Sequence, residues 1–305
     1  MLDLNFDYAS CVRNSEKVAW RLDDVIPPGT KLDFARPFLP SALAGDHQLS
    51  ELSDAERLKL NQITGNAYMN LFGFVEEYII AAVVEHVQAE MHGDHDTLRA
   101  LMRFADEEIK HQQLFARYVE AFRTSFGGPC GVLDNAAEVA GAVLSKSPIA
   151  VMIMTLHIEL MTQEHYTQSV RENTSLDPLF VSLLKHHWLE ESQHARIDAL
   201  ELDKLATDAS REQITTAFAD YVDLLDAIDG LLAGQAKLDV ESLAHATGRS
   251  FTPAQADRIA AAQHAAYRTT FIVMGLRNRM FMDYMNKLDP AQATKLSLKA
   301  AGLAA

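Results

Sequence analysis

The chain has 305 residues, 48% of them hydrophobic, which is enough for a large core. It carries 42 acidic against 27 basic residues, a net charge of −15 that repels phosphate backbones and excludes nucleic acid as an expected partner. The two cysteines, Cys11 and Cys130, form no CxxC spacing, so no disulfide framework is expected and a reducing cytoplasm is the default compartment.

Along the chain, residues 1–52 are mixed in character. The opening MLDLNFDYAS lacks the basic-then-apolar pattern of a signal peptide. The stretch VIPPGTKLDFARPFLP is punctuated by proline and is expected to run extended over the surface of a core. Beyond it almost every segment has a helical period, and strand-like alternation is scarce. A helix is expected over about 53–91, opened by a capping-box signal from Ser53 to Glu56. After the turn HGDHD, a second runs from about Thr97 to Phe126 and stops at GGP. A short helix near 134–145 leads to Pro148, which suits a first helical turn, and the helix it opens is expected to reach Glu172. Within that helix PIAVMIMTLHIEL is interrupted by His157 and Glu159 and is too short to span a bilayer. The loop NTSLDP precedes a fourth long helix over about 178–206, and further helices are expected near 210–234, 239–246, 253–288 and 290–302. The expectation is an all-α bundle forming one domain over 1–305. A covering segment (1–52) and additional helices (207–305) flank a four-helix core (53–206).

A repeat lies inside that core. DEEIKH at 106–111 and LEESQH at 189–194 align at an offset of 83 residues, and the same offset carries Glu76 onto Glu159. The chain therefore holds Glu76…Glu108xxHis111 and Glu159…Glu191xxHis194, with 31 residues between the glutamates in each copy. Residues three apart share a helix face, so each ExxH presents a carboxylate beside an imidazole. Two such helices and one Glu from each of two others give four carboxylates and two imidazoles around one point. This is the ferritin-like layout for a pair of iron or manganese ions.

Height along an antiparallel pair tests the assignment. The loop between the third and fourth long helices centres near Ser175, with Glu159 sixteen residues before it and Glu191 sixteen after. Glu164 lies only eleven before and would miss by roughly 7–8 Å. In the first pair the turn centres near Asp94. Glu108 is 14 residues after it, Glu77 17 before and Glu76 18 before. Height leans to Glu77; the repeat favours Glu76, which is also in line with Phe72, Ile79, Ile80 and Val83. Glu76 is preferred, with Glu77 as the alternative.

KHHWLEESQH (185–194) adds a third imidazole. His187, Glu191 and His194 stand at i, i+4 and i+7 and share one face, whereas His186 and Glu190 are expected to point elsewhere.

The HxxxExxH of the fourth helix, with ExxH on the second, resembles the di-iron arylamine oxygenases, the aminobenzoate-type N-oxygenase family of the ferritin-like superfamily. The likeness covers about residues 55–205. It implies a metal set of Glu76, Glu108, His111, Glu159, His187, Glu191 and His194. It also implies two irons, dioxygen as co-substrate, a peroxo di-iron intermediate, and oxidation of a small amine at nitrogen. Manganese is the alternative metal. No flavin or iron–sulfur motif is present, so electrons are expected from a separate donor. The C-terminal helices are expected either to complete the bundle or to build a homodimer contact.

Other residues have quieter readings. His157 and His165 flank Glu159 and read as core or surface histidines before supports for ligands. His86, His92 and His95 cluster near a turn and are assigned to solvent. Phe72, Phe74, Phe104 and Phe115 either wall a substrate pocket or simply fill the core. A ferritin-like ferroxidase shares the ligand layout, but about a hundred residues beyond the bundle suit an enzyme better. A di-metal oxidase of a lipid or aldehyde would use the same centre. A radical-generating subunit resembling that of ribonucleotide reductase would place tyrosine one turn after His111. Phe115 stands there, and the nearest tyrosine is Tyr118.

Overall fold

The computed structural model describes residues 6–47 and 49–304, and among these it contains helices and no strand. Residues 1–5, 48 and 305, which belong to the expected covering segment and the C-terminal end, lie outside the described residues. The helices are α1 (Tyr8–Val18), α2 (Leu22–Val25), α3 (Ser41–Ala44), α4 (Asp54–Ala89), α5 (His95–Phe126), α6 (Ala136–Leu144) and α7 (Pro148–His165). They continue as α8 (Pro178–Thr207), α9 (Arg211–Thr247), α10 (Pro253–Arg268), α11 (Met274–Arg277), α12 (Arg279–Leu288) and α13 (Pro290–Leu303).

The long helices start where side chains can satisfy their free N–H groups. Ser53 and Glu56 form the expected capping box at α4. Asp94 accepts from Thr97 N at α5, and Asp177 accepts from Phe180 N at α8, where Pro178 fills the first turn. Gly127, at φ 82°, ends α5 in the left-handed conformation that glycine adopts without strain.

The core is a four-helix bundle in which α4 packs on α5, α7 packs on α8, and α5 faces α8. α9 lies across α4 and α7, and α1 lies across α5 and α8. α4 is long and apolar enough to cross a membrane by length and composition, yet 61% of that window is buried inside the protein. Leu60 to Met69 are buried without a break, the mark of a helix surrounded by its own fold.

Several boundaries differ from the sequence expectation. The helices expected at 210–234 and 239–246 are one helix, α9, which runs through Gly230 and Gly234 because its buried Gln235 and Asp239 bond each other at i,i+4. The helix expected over 253–288 is broken. A π turn at Thr269–Val273 follows α10, and Asn278 stops α11 and caps α12 by accepting from Phe281 N. The helix from Pro148 leaves α geometry at His165 and ends in a π turn at Tyr166–Val170. The proline-rich segment is non-helical, but it enters the core instead of lying over it. Ile26, Phe38 and Leu39 are at most 1% exposed, and Phe38 stacks on Phe180 at 5.2 Å. Asn61 holds that segment by accepting from Phe38 N and Leu39 N. α1 was not anticipated; its signal is the Asp7–Ser10 capping box.

Candidate metal centre

Four helices converge on one buried cluster. Glu76 comes from α4, Glu108 and His111 from α5, Glu159 from α7, and His187, Glu191 and His194 from α8. All seven are at most 3% exposed. Glu77 is exposed. Height could not separate the two glutamates, because one residue moves a side chain only about 1.5 Å along a helix but about 100° around it.

Glu191 is the hub. Its Oε1 lies 2.8 Å from His187 Nε2 and 3.1 Å from His111 Nδ1, and its Oε2 lies 3.5 Å from His194 Nδ1. Glu108 Oε1 is 2.7 Å from His194 Nδ1 and 3.8 Å from His111 Nδ1. Glu76 Oε1 is 3.1 Å from His187 Nε2 and 3.7 Å from His111 Nδ1. Two donor groups result, Glu76–His111–His187–Glu191 and Glu108–His111–Glu191–His194, each with its ligand atoms within 4.8 Å of one another. They share His111 and Glu191. Glu159 is outside both groups and joins the cluster through a hydrogen bond with Glu191.

The charges there are poorly balanced by protein alone. Burial, then the neighbouring Glu108, pushes the Glu76 carboxyl up to about 8. Burial and Glu191 hold the Glu159 carboxyl well above the carboxylate range. Burial would raise Glu191 too, but the imidazoles around it and the Glu159 hydrogen bond hold it well below. Burial would lower His111 and His194, and their carboxylate neighbours more than offset it. Close approach does not mean satisfied bonding. Both Glu108 oxygens, Glu76 Oε2, Glu159 Oε2, Glu191 Oε1, His111 Nδ1 and His194 Nδ1 lack a hydrogen-bond partner of good geometry. Such orphans are costly in a dry core. Four carboxylates and three imidazoles fit two divalent cations, which would neutralise the excess and take up these lone pairs.

A second layer fixes the rings. His111 Nε2 donates to Glu190 Oε2 at 2.9 Å, and His194 Nε2 donates to Glu107 Oε2 at 3.0 Å. Each imidazole thereby turns Nδ1 toward the cluster centre. Lys110 anchors Glu190 at 2.5 Å, and the Ser15 hydroxyl of α1 donates to Glu107. Trp20 lies flat over His111, with ring centroids 6.0 Å apart, and Lys110 Nζ sits 4.3 Å from the Trp20 ring. Glu190 was expected to point away and instead is fully buried behind His111. His186 does point away, bonding the Ser182 carbonyl at 2.7 Å. The missed pair had a visible signal: both repeat copies read EExxH, and the first glutamate of each supports the histidine of the other.

The remaining predicted residues sort cleanly. Phe104 stacks on His194 at 4.0 Å, while Phe72 and Phe115 meet His187 edge-on at 4.9 and 5.0 Å. Phe74 lines a surface cleft instead. Tyr118 packs among Phe38, Phe122 and Phe180. His157 and His165 are core residues: Tyr221 OH bonds His157 Nδ1 at 2.6 Å, and Tyr68 OH bonds His165 Nδ1 at 2.9 Å. Burial pushes His157 down to about 4 and His165 to about 3, so both are neutral. His92 and His95 are exposed, but His86 is half-buried and bonds Glu201 at 2.6 Å, against the solvent assignment. Asp198, one turn past His194, is fully buried with neither oxygen bonded; it was not singled out from the sequence, although it continues the row of His187, Glu191 and His194 along one helix face.

Comparison with known proteins gives one family match. The model of the family described as p-aminobenzoate N-oxygenase AurF matches residues 13–228. No curated protein matches the chain. Among solved structures, a variant of an R2-like ligand-binding oxidase with an aerobically reconstituted Mn/Fe cofactor is 12% identical. Its TM-score is 0.47, with coverage of 90% of this chain and 94% of that one. Another variant of an R2-like ligand-binding oxidase, with an aerobically reconstituted Fe/Fe cofactor, is 11% identical. Its TM-score is 0.45, with coverage of 96% and 94%. At these scores the structural neighbours carry no argument about this chain.

Proposed function

Because the chain belongs to the p-aminobenzoate N-oxygenase AurF family, we propose that it is a di-metal oxygenase that uses dioxygen to oxidise the nitrogen of a small amine. Family membership makes it an oxidoreductase. N-oxygenation and the residue roles are our reading. The observation that supports it is a set of seven buried side chains from four helices, each keeping at least one oxygen or nitrogen with no hydrogen-bond partner, six of them in two groups whose ligand atoms lie within 4.8 Å of one another.

Glu76, His111 and His187 would hold one ion. Glu159 and His194 would hold the other, with Glu108 and Glu191 between them. Two irons are the favoured pair, and manganese suits the same oxygen-rich donors. Once bound, the pair supplies the electrons that activate dioxygen. The chain's own residues do the rest. Glu107 and Glu190 lock the tautomers of His194 and His111. Phe72, Phe104 and Phe115 wall the imidazoles and exclude water. We place the reductant in a separate protein, because no flavin or iron–sulfur motif is present in the sequence.

The test is metal content of protein expressed with iron, followed by incubation with a panel of primary amines, reductant and dioxygen. Two metals per chain and a hydroxylamine or nitro product support the reading. Metal-free protein after reconstitution would end it, and two metals with products oxidised only at carbon would end the N-oxygenation part.

A further inference from the structure

The face of α8 that carries His187, Glu191 and His194 continues differently in its two directions. Toward the helix start it meets Leu184, Leu183 and Phe180, all buried and apolar. Toward the helix end it carries Asp198 and Glu201, so the polar row runs at i, i+4, i+7, i+11 and i+14 from His187. Asp198 is fully buried and Glu201 is 3% exposed. Elsewhere aromatic rings wall the cluster, with Trp20 over His111, Phe104 on His194, and Phe72 and Phe115 against His187.

Asp198 is the second observation. Neither of its oxygens has a hydrogen-bond partner. Burial holds its carboxyl well above the usual range, His194 opposes this, and Glu108, Glu191 and Glu201 add to it. Its neighbours in charge are therefore cluster residues on one side and Glu201 on the other. A buried carboxyl group without a bond is costly, and no packing contact requires an acid there. Asp239, equally buried, has both Tyr267 and Gln235 as partners.

The row ends at a polar mouth. His86 Nδ1 on α4 lies 2.6 Å from Glu201 Oε2, and Lys204 Nζ lies 3.0 Å from Glu201 Oε1 and 2.8 Å from Glu90 Oε1. Tyr8 of α1 donates to Glu201, and Lys204 Nζ sits 4.6 Å from the Tyr8 ring. His86 and Glu90 are half-buried and Lys204 is exposed, so this end meets solvent. The heights agree. Ten residues separate Glu76 from His86 on α4 and Glu191 from Glu201 on α8, about 15 Å along either helix. Asp198 stands between, about 6 Å past His194 and about 4.5 Å before Glu201 along the axis.

Resting on the di-metal reading, we propose that this row is the entry route of the metal ions: a divalent cation passes from the Glu90–His86–Glu201 mouth to Asp198, and from Asp198 to Glu108, Glu191 and His194. Ferrous and manganous ions move between oxygen and imidazole ligands, and this face of α8 supplies them in helical steps from the solvent end to the centre. Asp198 suits a relay because it has no hydrogen bond to break when it takes up a cation. The net charge of −15 draws cations to the surface, and Lys204 partly neutralises the mouth.

The test mixes metal-free protein anaerobically with ferrous iron and counts chelator-resistant iron against time and at equilibrium. Asp198→Asn keeps the shape without the charge and should load roughly tenfold more slowly than wild type, to the same two irons per chain. Lys204→Met removes a cation from the mouth and should load about threefold faster. Glu77→Gln removes one negative charge from an exposed position outside the row and should load at the wild-type rate. An Asp198→Asn variant that loads at the wild-type rate, or that holds fewer irons at equilibrium, overturns the route. Equal slowing by Glu77→Gln, or a Lys204→Met variant slower than wild type, overturns it too. Two irons at equilibrium with unaltered rates in every variant defeats the route alone. A wild type without iron at equilibrium defeats the di-metal reading and the route with it.

Discussion

Glu190 on α8 accepts from His111 Nε2 on α5 at 2.9 Å, and the exchange is returned: Glu107 on α5 accepts from His194 Nε2 on α8 at 3.0 Å. α5 therefore supplies one carboxylate and one imidazole to the cluster, α8 one carboxylate and two imidazoles, and each adds a second carboxylate that orients a ring of the other helix. The arrangement couples helix packing to ligand geometry. If α5 and α8 slid past one another, both rings would lose their anchors together.

Replacing either anchor should therefore cost metal affinity without dismantling the bundle. Glu190→Gln and Glu107→Gln keep the volume but weaken the acceptor, and supporting residues of this kind typically contribute 10–100-fold in affinity. Competitive titration of metal-loaded protein against a chelator measures it. Glu77→Gln, on an exposed side chain, should leave the affinity unchanged and serves as the control.

His187 lacks such an anchor. Its Nε2 faces Glu76 and Glu191, but its Nδ1 has no hydrogen-bond partner, and its ring meets Phe72, Phe115 and His111 edge-on. The His187→Ala variant should retain more metal after dialysis than His111→Ala, because only His111 borders both donor groups. Metal content measured before and after dialysis gives the comparison. Equal loss from both variants would mean that His187 is as integral as the anchored rings.

Much of this centre is legible in the sequence, because ExxH needs only helical periodicity to put its two side chains together. The spacing of 32 residues and the equal heights of Glu159 and Glu191 depend on regular helices joined by short loops. What escaped reading depends on packing. Glu190 stands about 100° around α8 from Glu191, so a helix taken alone turns it outward; α5 covers that side and makes it interior. Asp198 differs: it stands seven residues past Glu191, on the same face of α8, so its burial follows from the periodicity that places the cluster. The boundaries misread at 234–239 and 278 involve tertiary bonds, Leu133 N to Gln235 and Tyr267 OH to Asp239 in one case and Asn278 Nδ2 to Glu164 in the other.

Gly275 shows how tightly the added helices seat on the bundle. The π turn before α11 brings the Phe271 carbonyl to His157 Nε2 at 3.0 Å, while Tyr221 OH holds Nδ1 at 2.6 Å. A Cβ at residue 275 would come within 2.3 Å of that ring. The ring cannot yield, since both nitrogens are bonded and it is fully buried. Gly275→Ala should destabilise the fold by about 1–3 kcal/mol, as overpacking of a core does. Denaturant unfolding checks this, and an unchanged midpoint would show that α11 shifts freely.

Asp239 should make stability fall as pH rises. It is fully buried in α9, where it accepts from Tyr267 OH at 2.6 Å and Gln235 Nε2 at 2.8 Å. Burial pushes its carboxyl up from 3.8 to about 7, against the two hydrogen bonds. The folded protein then binds this proton more tightly than the unfolded chain between those two values. Stability contributed by the neutral acid is fully present below about 4, is lost progressively up to about 7, and stays lost above it. The shift corresponds to at most roughly 4 kcal/mol. Asp239→Asn keeps a neutral group of the same shape, so its Tm should vary less than the wild type's between pH 5 and pH 8, with the variant the more stable at pH 8. Thermal melts across that range decide it. A wild-type Tm that rises over the window, or a variant that follows the wild type throughout, would show that the charged carboxylate is well accommodated by Tyr267 and Gln235.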